Sequence, residues 1–170
     1  DHQGNIWIGT AGGGINKFNH KQQNFTRFNN YRNSNHTIKN NLSNSRVWDM
    51  LQTSKDAIWI GTSIGLNRFD MLTNTFQHYF PSNTVNSTEH NKIRQILHSS
   101  TNSLYLGTDD GVLLFDPQNQ TFTELDIEGV ESIGPIYSMI KTSFNQYWLT
   151  SNHGVCSFTD DDLTLRKVDL

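Results

Sequence analysis

The sequence predicts an all-β protein made of four-stranded antiparallel sheets, about four repeats of a β-propeller blade. Four observations predict it. The phrase Ile6-Trp7-Ile8-Gly9-Thr10 returns unchanged at residues 58–62, as "LYLGT" at 104–108, and in altered form as "YWLTS" at 147–151. The aromatics of this phrase, Trp7, Trp59, Tyr105 and Trp148, are 52, 46 and 43 residues apart, the period of a propeller blade. The spacing inside each unit is tighter: the next phenylalanine (Phe18, Phe69, Phe115, Phe158) follows after 11, 10, 10 and 10 residues, and Phe25, Phe76, Phe122 and Leu165 follow 7 later. Constant internal spacing with variable gaps describes a fixed unit joined by variable loops. Finally, no segment combines helical periodicity with caps.

Each unit resolves into four strands. The first is "RVWDMLQ" at 46–52, "KIRQILH" at 92–98 and "PIYSMIK" at 135–141. These near-continuous apolar runs predict strands covered on both faces. The second strand is the repeated phrase, rich in β-branched and aromatic residues. The third is "GINKFN", "GLNRFD", "GVLLFD" and "GVCSFT". The fourth, "NFTRF", "TFQHY", "TFTEL" and "TLRKV", alternates apolar with polar as an outer, half-exposed strand does. The connections carry Asn, Asp or Gly where hairpins need positive φ. A glycine closes every second-to-third turn, at Gly14, Gly65, Gly111 and Gly154. The blades are expected over residues 1–28, 46–80, 92–126 and 135–170, the first of them lacking its innermost strand. That strand count predicts a partial propeller, a fragment of a larger ring whose open blade faces favour self-association. The Asn- and Ser-rich segment 29–45 is expected to be a long surface loop that buries little. Trp7, Trp59, Tyr105 and Trp148 are expected at equivalent buried positions, as are Phe18, Phe69, Phe115 and Phe158.

Composition narrows the function. The 170 residues carry a formal net charge of −3 and no basic stripe, so nucleic acid is not an expected partner. The single cysteine, Cys156, permits no intrachain disulfide and reads as a half-buried inert thiol. No run of 18 apolar residues is present, and the opening "DHQGNIW" does not read as a signal peptide.

A search for chemistry returns little. His2, His20, His36, His78, His90, His98 and His153 show no zinc-type spacing. Asp109-Asp110 and Asp160-Asp161-Asp162 offer hard oxygens, but no calcium-loop pattern surrounds them, and they read as solvated turn carboxylates. "GTAGGG" is neither a nucleophile elbow nor a phosphate loop. No catalytic residue, metal or cofactor is expected.

Recognition is therefore sought where the units differ. The entries to the inner strands and the turns between second and third strands are expected on one face of the disc. Along the inner strands, Trp48, Arg94 and Tyr137 align in one column and Asp49, Gln95 and Ser138 in another. With Arg46, these aromatics and the arginine are the leading ligand contacts. Asp109, Asp110, Asn152 and His153 form the rim. Stacking and directed hydrogen bonds suit a small polar or carbohydrate ligand. The alternative is that these columns serve polar needs between blades.

The stretches "DHQGNIWIGTAGGGINKFNHKQQNFTRF", "DAIWIGTSIGLNRFDMLTNTFQHY" and "NNLSNSRVWDML" resemble two-component regulator propeller repeats. The resemblance extends through the third unit; in the fourth, Thr150 and Ser151 replace the Gly-Thr pair. It implies β-propeller blades in the periplasmic, extracytoplasmic sensor region of a bacterial hybrid histidine kinase or diguanylate cyclase. The expected function is a non-catalytic sensor module whose partners are the rest of the propeller and downstream signalling domains. A protein-interaction platform is the alternative, and a hydrolase or lyase propeller a third.

Overall fold

The computed structural model describes residues 1–30, 41–81, 91–129 and 132–168. Among them are fifteen strands in four antiparallel sheets and no α-helix. Blade 1 is β1 (Ile6–Gly9), β2 (Ile15–Asn19) and β3 (Asn24–Phe28). Blade 2 is β4 (Val47–Ser54), β5 (Ala57–Thr62), β6 (Leu66–Asp70) and β7 (Thr75–Tyr79). Blade 3 is β8 (Gln95–His98), β9 (Leu104–Gly107), β10 (Val112–Asp116) and β11 (Thr121–Glu124). Blade 4 is β12 (Ser138–Lys141), β13 (Gln146–Ser151), β14 (Gly154–Thr159) and β15 (Arg166–Lys167). In every sheet the strands lie side by side in chain order, so each blade is a meander of hairpins.

The repeated phrase explains the packing. Successive side chains of a strand point to opposite faces. In blade 2, Ile58 pairs with Phe69 and Phe69 with Phe76, so these three share the face toward blade 1. Trp59, between them, points the other way, as does its cross-strand neighbour Leu51. Blade 3 repeats this with Leu104, Phe115 and Phe122 on one face and Tyr105 on the other. The core is accordingly three clusters, one at each junction between consecutive blades. At the first junction Trp7 and Phe28 of blade 1 pack on Phe69. At the second Trp59 meets Phe115 edge-on, with ring centroids 5.5 Å apart. At the third Tyr105 packs on Tyr147 and Phe158.

Two packing expectations need correction. Trp59 and Tyr105 are buried, but Trp7 and Trp148 are only half-buried, and Phe18 likewise differs from buried Phe69, Phe115 and Phe158. The cause is position: Phe18 and Trp148 lie on faces of the first and last blades that no other blade among the described residues covers. The inner strands β4, β8 and β12 are also less covered than their apolar runs predict, with one buried residue at most in each.

Glycine and threonine of the phrase serve the next blade. A Cβ on Gly61 would lie 2.7 Å from the Ile93 carbonyl oxygen and 2.9 Å from its Cγ2. Val47 crowds Gly9, and Ile136 crowds Gly107, in the same way. The threonine carbonyls of Thr10, Thr62 and Thr108 accept the backbone N–H of Val47, Ile93 and Ile136 at 2.9–3.0 Å. Their hydroxyls donate to the carbonyls of Gly14, Gly65 and Gly111. Those glycines have φ of 75°, 87° and 84°, and their N–H groups donate to Ser45, Asn91 and Gly134 at the entry of the next inner strand. The second-to-third turns and the inner-strand entries therefore share one face. Thr150 stands at the glycine position of blade 4 and is exposed. Replacing Gly61 with Ala is expected to cost about 1–3 kcal/mol through overpacking against Ile93. Urea unfolding checks this, and an unchanged midpoint would contradict the tight approach.

Of the expected loop at 29–45, residues 31–40 lie outside the described residues. Its C-terminal end is not a low-burial loop. Leu42 and Ser45 are buried, and the Ser43 N–H donates to Asn67 Oδ1 at 2.8 Å. Leu42 fills the first inter-blade cluster, which the polar composition around it conceals.

Candidate recognition site

The entries of β4, β8 and β12 bring most of the repeat-breaking residues together. Trp48 is 39% exposed, fixed by a 3.0 Å hydrogen bond from its indole Nε1 to Ser63 Oγ. Three cations surround its ring: Lys92 at 5.0 Å, Arg94 at 5.2 Å and Arg46 at 6.0 Å from the centroid. Arg94 also lies 5.9 Å from the ring of Tyr137, so its guanidinium sits between two aromatics. Tyr137 is 59% exposed, and its hydroxyl donates to Asn152 Oδ1 at 2.6 Å. Asp109 accepts from Lys92 Nζ at 2.8 Å and from Arg94 Nε. This arrangement presents two flat apolar rings, a stacked guanidinium and amide and hydroxyl groups on one open surface.

Arg46, Trp48, Arg94, Tyr137, Asp109 and Asn152 thus form one connected cluster across three blades. Asp110 is held by the Ser132 hydroxyl, which in turn accepts the Gly134 N–H at 3.0 Å. His153 is exposed, and its backbone N–H caps on Ser151 Oγ at 3.1 Å; its side chain is not joined to the cluster. Sequence reasoning missed Lys92 and Ser63. Lys92 was within reach of it, because it lies two residues before Arg94 and so on the same side of an extended strand.

The second column serves the blades themselves. Asp49 Oδ2 accepts the Ile96 N–H of the next inner strand at 2.8 Å, and its Oδ1 accepts the Met50 N–H. Burial raises its carboxyl above the ordinary value, and the two N–H bonds offset only part of that. Gln95 repeats the device toward blade 4: its Nε2 donates to the Met139 carbonyl at 2.8 Å while its Oε1 accepts the Met139 N–H.

On the opposite rim, Asp160 is almost buried and accepts the hydroxyls of Tyr105 (2.9 Å) and Tyr147 (3.1 Å). Burial, together with this carboxylate, pushes both phenols far above their ordinary value, so they remain protonated donors. Asp162 accepts from Arg166 and caps Thr164. Cys156 is fully buried rather than half-buried, and burial raises its thiol despite Lys167 and Ser151 nearby. Among the described residues no three His, Cys, Asp or Glu side chains are grouped to hold a metal.

Four meander blades, joined in series through their inner strands and sharing one loop face, define a β-propeller protein. Residues 41–63 match the family described as "Two component regulator propeller". No curated protein matches the chain. Among solved structures, the extracellular domain of BT4673, a one-component or hybrid two-component system of B. thetaiotaomicron, superposes with a TM-score of 0.77 at 19% identity, over 99% of this chain and 21% of that one. The extracellular domain of the B. thetaiotaomicron hybrid two-component system BT3049 gives 0.51 at 20% identity, over 99% and 27%. An ancestral GH74 enzyme gives 0.70 at 17% identity, over 98% and 22%. At these identities the likeness is one of fold, and the chain spans about a fifth to a quarter of the length of these structures.

Proposed function

We propose that this chain is a non-catalytic sensor module of a bacterial signal-transduction protein, lying on the extracytoplasmic side, and that the Trp48–Arg94–Tyr137 cluster recognises a small polar or carbohydrate ligand. The repeat family and the two-component context of the fold neighbours support the signalling role. The observation that carries the site is the division of labour along the repeat. Constant positions are spent on packing between blades, whereas the positions that break the repeat at the inner-strand entries converge on one exposed surface. Aromatics and arginine give the largest interaction energy per residue at recognition sites. The two carboxylates there are engaged, Asp109 by Lys92 and Arg94 and Asp110 by Ser132. In this reading the blades are residues 1–28, 46–80, 92–126 and 135–170, and the partners are downstream signalling domains.

The test is made in the intact signalling protein. Arg94→Ala should raise the stimulus concentration for half-maximal response about tenfold or more, a loss of roughly 1.4 kcal/mol or greater, with the blades still folded by circular dichroism. Arg166→Ala, an exposed arginine outside the cluster, should leave the response unchanged. An unaltered response in a folded Arg94→Ala protein would assign the cluster to packing between blades.

A further inference from the structure

At each junction the turn after the third strand of one blade meets the aromatic of the repeated phrase in the blade before it. The residue two places after the third-strand phenylalanine stands there: Met71, Pro117 and Asp160 in turn. Beside it, on the same face, is the last residue of the inner-strand pairing: Gln52 opposite Ile58, His98 opposite Leu104 and Lys141 opposite Tyr147. Between blades 3 and 4 a carboxylate fills the place. Asp160 accepts the Tyr105 and Tyr147 hydroxyls, with Lys141 Nζ at 3.9 Å. Between blades 1 and 2 the indole N–H of Trp7 donates to Asp1 Oδ2 at 2.7 Å. Between blades 2 and 3 neither carboxylate recurs: Pro117 stands at the Asp160 position and Thr53 at the Asp1 position. A cavity of about 210 Å³ lies there, its walls including Thr53, Trp59, Arg68, His98, Leu104 and Pro117. Both walls belong to four-stranded blades.

We propose that this cavity binds a small carboxylate, which takes the place between blades 2 and 3 that the Asp160 side chain takes between blades 3 and 4. The polar groups around it favour an anion, and among the described residues that line it none is acidic. His98 holds the position of Lys141, and a ring N–H can donate from there. Thr53 Oγ1 accepts the Trp59 indole N–H at 3.2 Å, and a hydroxyl that accepts one hydrogen bond keeps a proton to donate. Arg68 is paired across the sheet with Trp59 and so shares its face. Its guanidinium reaches Asp70 Oδ2 only at 3.5 Å, long for a charge-assisted hydrogen bond, which runs about 2.7–2.9 Å. Asp70 Oδ1 is engaged by the N–H groups of Leu72 and Thr73 in its own turn. Leu104 and Pro117 form an apolar wall for the carbon end of the ligand. The volume is below the roughly 300–1,000 Å³ of pockets for drug-sized molecules, which points to a small organic acid. The site lies on the rim opposite the Trp48 cluster and is independent of it.

Acetate is the probe. In the intact protein, modification of histidines by diethyl pyrocarbonate is followed by peptide mass spectrometry, at constant pH and with chloride holding the ionic strength fixed. Acetate, raised to tens of millimolar, should slow the labelling of His98 in a saturable way and leave exposed His153 unchanged. Arg68→Gln should raise the half-protecting acetate concentration about tenfold or more, the weight of a hydrogen bond to a charged group. Pro117→Asp supplies the carboxylate from the chain itself. It should slow His98 labelling without acetate and abolish the acetate dependence. Labelling of His98 that ignores acetate overturns the proposal. So does equal protection in Arg68→Gln, or acetate protection that survives Pro117→Asp.

Discussion

Replacing Trp59 with Ala is expected to cost about 3–5 kcal/mol of stability. The indole is 4% exposed and fills the junction between blades 2 and 3. It lies 5.7 Å from the ring of Tyr79 and 5.5 Å from that of Phe115, centroid to centroid. Its Nε1 donates to Thr53 Oγ1 at 3.2 Å, so its one polar atom is satisfied. Removal leaves a cavity between two sheets whose backbones are tied to each other, Ile93 to Thr62 and Gly65 to Asn91, and such a site collapses poorly. The loss should appear as a lower urea midpoint. A cost below about 1 kcal/mol would mean that this junction is not packed as described.

Asp160→Ala should cost about 2–4 kcal/mol, because hydrogen bonds to a charged group are each worth roughly 1.5–3 kcal/mol, and the Tyr105 hydroxyl would lose its acceptor while the Tyr147 hydroxyl would keep only the His98 carbonyl at 3.4 Å. The pH dependence has a definite sign. Burial alone would raise the Asp160 carboxyl, but the hydroxyls of Ser100, Tyr105 and Tyr147 and the charge of Lys141 outweigh it, and the net shift is downward. A carboxyl lowered in the folded state stabilises fully above its unfolded value of about 3.9. That contribution is lost as pH falls through the lower folded value. Wild-type stability should therefore drop steeply in acid below about pH 4, and the Asp160→Ala variant should show a shallower drop. Equal acid slopes in the two proteins would contradict the tie.

The fold was legible because one face of every blade must match the next, which forces the same residue types to recur at fixed spacing. The Ile-aromatic-Ile phrase encodes both faces of a second strand, and its glycine encodes the approach of the following blade. What the period could not reveal is which blades have neighbours on both sides. Trp148 and Trp59 are the same letter at the same position, yet among the described residues a following blade packs over Trp59 and none over Trp148. Asp160 shows a second limit. It opens a run of three aspartates that reads as solvated, and only the fold brings Tyr105, from 55 positions earlier, onto its carboxylate. The cluster around Trp48 was legible as the place where the repeat breaks. Its pairing pattern was not, since the engagement of Asp109 by Lys92 and Arg94 depends on a turn folding back over the inner strand of its own blade. The Asp49 and Gln95 column looked equally variable, but its residues close backbone groups of the next inner strand. Variation alone therefore does not mark a recognition surface, since Asp49 and Gln95 vary and yet fasten one blade to the next.

The most direct measurement compares Trp48→Ala with Trp59→Ala in the intact protein, recording thermal stability and the stimulus response per folded molecule. Two tryptophans eleven residues apart in one blade should then fail in opposite ways. Trp48→Ala should change stability by less than about 1 kcal/mol, as expected for a side chain outside the core, and should lose at least about nine-tenths of the response at a stimulus level near the wild-type midpoint. Trp59→Ala should lose stability and retain its response per folded molecule. A Trp48→Ala protein that responds normally, or one that is destabilised as much as Trp59→Ala, would contradict the assignment of repeat-breaking residues to recognition and repeat-constant residues to packing.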